Sequence, residues 1–183
     1  MKGWMIAGIV AVIVVVMAVS GYNSLVGMNE DINGKWAQVE NQLQRRADLI
    51  PNLVNTVKGY AAHEQAAIQS VADARAKLAG AQTPATKAEA DGELSGALSR
   101  LLMVAENYPN LKADQNFRAL QDELAGTENR MTVARQDYNN TVQVFNTKVK
   151  TFPSSIYAGM LGFSEREYFK AAETSKTVPE VKF

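Results

Sequence analysis

The sequence predicts an all-α chain: an N-terminal transmembrane helix followed by an antiparallel helical bundle with long, coiled-coil-like helices. Three observations predict it. No charged residue occurs from Gly3 to Asn29. Apolar and aromatic residues recur at seven-residue intervals from Phe117 to Phe152. Breakers are scarce, with five prolines in 183 residues, and there is no cysteine to staple a smaller fold.

The anchor comes first. The run Trp4–Val19, extended to Ser24, makes a helix of about 31 Å, enough for a hydrocarbon core. Trp4 and Tyr22 then lie about 27 Å apart, at the two levels where interfacial aromatics collect. The lipid bilayer is therefore the first expected partner. Ala18-Val-Ser20 is a small-x-small triplet that a signal peptidase would accept, but the run is long for a signal h-region. Lys2 flanks one end and Glu30 and Asp31 the other. The positive-inside rule thus favours a cytoplasmic amino terminus and an external domain. Gly3, Ala7 and Ala11 recur every four residues, a stripe that permits close helix approach and is a candidate for self-association. The expected organisation is an anchor and juxtamembrane segment over 1–29, a bundle over 30–173 and a polar tail over 174–183.

Helix 1 is expected to run from the membrane to about Ala79. Trp36, Leu43, Ile50 and Val57 form a seven-residue stripe that steps by four to Ala61 and Ile68, with Arg75 in the next place. Ile32, Val39, Leu53, Val71 and Leu78 fill in. Pro51 removes one backbone bond and predicts a bend. Gly80–Pro84 is a turn in which Thr83 caps the next helix and Pro84 opens it. Helix 2 runs to Asn107 with Leu94, Leu98, Leu101 and Ala105 inward, and Tyr108-Pro-Asn110 is a break. Helix 3 carries Phe117, Leu124, Met131, Tyr138, Phe145 and Phe152, widened by Leu120, Ala134, Val142 and Val149. Ile156 to Phe163 reads either as a bundle cap or as an exposed patch that touches a partner or the membrane. These lengths, about 75, 36 and 60 Å, do not match. Either the long helices bend or break, or their apolar faces pack on another subunit. With the anchor stripe, this predicts a homo-oligomer.

Candidate chemistry is sparse. Acidic and basic residues both number 19, so no basic field exists to hold nucleic acid. His63 is the single histidine, and Tyr60-Ala-Ala-His63 lacks the carboxylate of a di-iron Glu-x-x-His pair. No catalytic, metal or cofactor constellation is found, and no Gly-rich phosphate loop. Two polar residues stand out. Arg46 falls on the apolar seam of helix 1, and Glu128 falls near the seam of helix 3. They read as a polar seam that fixes helix register, or as a binding or proton-linked site. Arg46 has no acidic residue three or four places away, so its partner must be tertiary. Helix lengths nominate Glu106 or Asp114, with Glu128 available if helix 3 folds back or across subunits.

Val39-Glu-Asn-Gln-Leu-Gln-Arg-Arg-Ala-Asp-Leu-Ile-Pro-Asn-Leu-Val-Asn-Thr-Val-Lys-Gly-Tyr60 strongly resembles the LemA family. The resemblance continues through Ala61-Ala-His-Glu64 and Ala74-Arg-Ala-Lys77. It returns at Tyr108-Pro-Asn-Leu-Lys112, Gln121-Asp-Glu-Leu-Ala-Gly-Thr-Glu-Asn-Arg130, Ala134-Arg-Gln-Asp-Tyr-Asn139, Phe152-Pro153 and Gly162-Phe163. It implies a bacterial membrane protein with a helical-bundle domain and no established activity. Some relatives look like lipoproteins with a Cys after the apolar run; here Ala18-Val-Ser-Gly-Tyr22 has none. The leading expectation is a non-enzymatic, membrane-anchored scaffold or adaptor that self-assembles. The alternatives are a regulator or adaptor of a membrane protease, as the resemblance suggests, and an enzyme of unrecognised type.

Overall fold

The computed structural model of the chain describes residues 2–170. Among these residues every regular element is a helix: α1 Lys2–Tyr60, α2 Gln65–Gly80, α3 Pro84–Ala105, α4 Pro109–Ala113, α5 Gln115–Lys150 and α6 Ser154–Met160. The described residues group into two compact units, 2–37 with 137–167 and 38–136 with 168–170, and both α1 and α5 contribute to each. The expected tail over 174–183 lies outside the described residues, as does the Lys2 side chain.

The unit of residues 38–136 combines the second half of α1 with α2, α3, α4 and the first part of α5. The stripe Val39, Leu43, Ile50, Leu53 and Val57 is buried along it. Helix 1 does not continue to Ala79. It stops at Tyr60, and Ala61–Glu64 reverses the chain. The four-residue step in the apolar stripe falls at this reversal. Ala61 is buried in the turn, and Ile68, Val71, Ala74 and Leu78 of α2 are buried in turn. A continued helix would have carried these residues beyond the cover of α3. Folding back buries them, and that burial is the larger free-energy term.

Pro51 lies inside α1 without ending it. Its missing N–H leaves the Ala47 carbonyl, four residues earlier, without its helical donor. The Arg75 Nε–H of α2 donates to that oxygen at 2.9 Å. Arg75 thus sits in the apolar register because it satisfies the acceptor that the proline orphans.

Helix α3 begins as its residues dictate. Thr83 accepts from the Thr86 amide, Thr86 reaches back to the Thr83 amide, and Pro84 occupies the first turn. Leu94, Leu98, Leu101 and Ala105 are buried, together with the small residues Ala90 and Ala97. The segment read as a break at Tyr108-Pro-Asn110 is partly helical: Pro109 opens the short α4, which buries Leu111. Asp114 then caps α5, its carboxylate accepting from the Phe117 amide at 2.9 Å. These paired ends set the directions. Lys87 with Glu40 and Asp91 with Arg46 make α3 parallel to α1, whereas Glu123 with Arg45 and Asp114 with Tyr60 make α5 antiparallel. The reversal at Ala61–Glu64 therefore resolves the length mismatch within one chain.

In the unit of residues 2–37 and 137–167, α1 is exposed and apolar through Val19 and then acquires a buried face at Leu25 and Ile32. Tyr138, Val142 and Phe145 of α5 are buried, with Trp36 against Tyr138 at 5.1 Å between ring centroids. Phe152 was expected to continue this stripe, but it is 81% exposed. The helix ends at Lys150, so the seventh-residue position no longer lies on a helix face. Beyond α6 the chain returns as a non-helical strap. Asn146 is buried and holds the strap by both its atoms, accepting from the Arg166 amide and donating to its carbonyl. The Tyr138 hydroxyl donates to the Glu167 carbonyl at 2.8 Å.

Candidate functional site

The seam position of Arg46 places its side chain inside the bundle, at 6% exposure. Seven-residue periodicity carries Leu43, Arg46 and Ile50 along one face of α1, so the guanidinium has no route to water. A desolvated charge demands acceptors. Nη1 donates to Asp91 Oδ1 at 2.8 Å and lies 2.7 Å from Glu128 Oε2; Nη2 donates to Ser95 Oγ at 2.9 Å. Glu128 meets Nη1 off the hydrogen-bonding direction, so that contact is ionic, and Nε has no hydrogen-bond partner among the described residues. The Ser95 hydroxyl donates in turn to the Asp91 carbonyl.

Beside Ser95, Asp91 is the member that sequence reasoning missed. It is 4% exposed, whereas the Glu128 side chain is 42% exposed. The signal was present: Asp91 precedes Leu94 and Leu98 by three and seven residues and so shares their face. Burial pushes the Asp91 carboxyl above its ordinary range, and the Glu128 charge adds to this, while Arg46 and Arg135 pull it back. One guanidinium thus faces two carboxylates from two other helices. The residues nominated as partners are elsewhere. Glu106 pairs with Lys112 at 2.6 Å, and Asp114 caps α5 while accepting from the Tyr60 hydroxyl at 3.0 Å. The nomination assumed an unbroken helix 1, and the turn at Ala61–Glu64 shifts the facing helices. The backbone amide of Phe117 and the Tyr60 hydroxyl hold the Asp114 carboxyl below its ordinary range.

The other singled-out residues lie apart from this cluster. Trp4 and Tyr22 are exposed, as are Gly3, Ala7 and Ala11. The Tyr22 ring also meets Phe163, with centroids 6.0 Å apart. His63 is exposed in the turn after α1. Among the described residues no group of three His, Cys, Asp or Glu stands close enough to hold a metal. A groove of about 410 Å³ opens beside the cluster, lined by Glu40, Gln44, Arg75, Leu78 and Lys87. Its Lys87 and Glu40 neutralise each other, and its Arg75 is committed to Ala47. An 18-residue window of α1 near the N-terminus is, by length and composition, apolar enough to cross a membrane, and none of it is buried.

The LemA family profile matches residues 35–183. Magnetosome protein MamQ 2 of Paramagnetospirillum magneticum is 28% identical over 189 residues, covering 87% of this chain and 70% of that protein. Magnetosome protein MamQ of Magnetospirillum gryphiswaldense is 26% identical with the same coverage. Protein LemA of Metamycoplasma hominis is 22% identical over 155 residues, covering 84% of this chain and 71% of that protein.

Proposed function

The chain belongs to the LemA family, and we propose that it works as a non-enzymatic scaffold or adaptor, anchored in the bacterial inner membrane by α1 and acting through helix–helix contacts. One observation carries this reading. A single 59-residue helix is bare and apolar over its first third and then supplies the buried stripe of a helical bundle. Apolar surface of that extent needs a solvent of its own, and a bilayer is one. The chemistry of the bundle agrees. Arg46 and Asp91 are enclosed and spend their hydrogen bonds on each other and on Ser95. Arg46 and Glu128 then act as a polar seam that fixes which helices face one another.

Self-association enters through the anchor. Gly3, Ala7 and Ala11 lie on an open helix surface, and Gly3 has nothing within contact of a Cβ. The length mismatch no longer supports it, since the chain reversal absorbs that mismatch. Carbonate washing of membranes tests the anchor: retention in the pellet is expected, and release with a new amino terminus near Gly21 would show a cleaved signal. Protease digestion of intact spheroplasts tests the external domain, which should be cut. Native mass spectrometry of the detergent-extracted protein reads the assembly. Homo-oligomers favour the scaffold, and a stoichiometric protease would replace it with a protease adaptor.

A further inference from the structure

The segment that follows α5 has two faces, and only one is used by the protein. Ser154 and Ala158 of α6 are buried, and Tyr157 lies so close to Gly21 of α1 that a Cβ there would overlap its ring. Phe163 lies against Tyr22 and, with centroids 6.4 Å apart, against Phe145. These contacts fix α6 and Phe163 beside Gly21 and Tyr22 of the anchor helix. The opposite face carries Ile156 and Met160, exposed at 60% and 84%, flanked by exposed Phe152 and Leu161. No charged residue occurs from Phe152 to Phe163.

Height along α1 says what meets this face. Gly21 lies about 26 Å from Trp4, within a hydrocarbon core of about 30 Å and its edge. The first charge past the anchor, Glu30, lies about 14 Å further on. Helix α5 gives the same level independently. Lys35 pairs with Asp137 at 3.3 Å, and the helices run antiparallel, so Lys150 comes level with Tyr22. Lys148 and Lys150 close α5, and the charges resume at Glu165 and Arg166, with Lys150 and Glu165 2.7 Å apart. Charged groups thus bracket an uncharged loop at headgroup level.

We propose that residues 152–161 form a second membrane contact, in which Phe152, Ile156, Met160 and Leu161 insert into the leaflet where α1 emerges. This rests on α1 spanning the bilayer. The apolar face stands level with the end of the anchor's bare stretch and is bracketed by Lys148, Lys150, Glu165 and Arg166, so the occupant is lipid rather than a separate protein. The loop lies in the interface plane, as amphipathic anchors do, and holds the anchor helix and the end of α5 at a fixed depth.

The absence of cysteine permits single-site labelling of the full chain. Met160→Cys, Val12→Cys and Thr132→Cys, each carrying an environment-sensitive fluorophore, are compared in vesicles of phosphatidylethanolamine and phosphatidylglycerol doped with doxyl-labelled lipid. All three positions are exposed, so labelling leaves the fold intact. Quenching at 160 should match that at 12 and exceed that at 132 several-fold. Quenching at 12 alone overturns the second contact and leaves the anchor standing. A label at 160 that is shielded from water yet unquenched by doxyl lipid assigns the face to protein and overturns the proposal. Absence of quenching at 12 overturns the spanning helix and the loop contact with it.

Discussion

Two stretches of the same helix, residues 3–19 and 25–57 of α1, are both rich in apolar side chains, yet the first has no buried residue and the second has a buried face. The difference is in pattern. The first is apolar all round; the second places Leu25, Ile32, Val39, Leu43, Ile50 and Val57 on one side and, Arg46 apart, its charges on the other. A helix with no polar face gains no orientation from hydrophobic burial alone, so lipid can cover it on every side. A helix with one stripe does, and its neighbours are then specified residue by residue.

Charges placed in each stretch break this comparison most severely. Val12→Arg with Ile13→Arg should cost about 5–7 kcal/mol of insertion, from about 3 kcal/mol for each arginine near the centre of a membrane helix. The pair should release the protein on carbonate washing. Ile50→Arg should leave membrane retention intact and abolish the cooperative thermal transition of the bundle.

Truncation sharpens it. Ile50→Ala should destabilise the bundle by about 2–5 kcal/mol in denaturant titrations, as a cavity in a packed core. Val14→Ala, on the bare stretch, should leave the same midpoint unmoved.

The charged cluster comes next. Arg46→Ala strands Asp91 in the core and should cost about 3 kcal/mol. Arg45→Ala, next to it but exposed and paired with Glu123, should cost less than about 1 kcal/mol. Equal thermal shifts for the two would mean that Arg46 is not desolvated in solution.

The smallest effect is a pair of opposite pH slopes. The Asp91 carboxyl is raised in the fold, so its contribution is present below the ordinary carboxylate range and is lost as pH rises through its folded value. The Asp114 carboxyl is lowered, so its contribution is present above that range and is lost as pH falls through its folded value. Relative to wild type, Asp91→Asn should therefore gain in Tm as pH rises across the acid range. Asp114→Ala should lose. Parallel slopes would contradict both assignments.

Periodicity made most of the fold legible. The stripe positions from Ile32 to Val57 and from Phe117 to Phe145, and the Thr83–Pro84 start of α3, follow from spacing and capping alone. The chain reversal was visible only as a step in the stripe, because a four-residue step is compatible with a continuous helix as well as with a turn. Choosing between them requires knowing that α3 covers only a short length. The Arg46 cluster was half legible for the same reason. Burial of the arginine follows from its register on one helix, but the identity of its partner depends on where the neighbouring helix stops. Phe152 leaves the pattern because a repeat counted in sequence continues past Lys150, where the helix ends.

The hydrogen bond from Arg75 to the Ala47 carbonyl ties the continuity of one helix to the docking of another. With α2 detached, α1 would carry both a proline and an unanswered acceptor at its midpoint, and helix on either side of Pro51 would fray independently. With α2 in place, the defect is closed by a side chain 28 residues away. The hairpin of α1 and α2 should therefore open as one cooperative block in native-state hydrogen exchange, with amides on both sides of Pro51 sharing a single opening free energy.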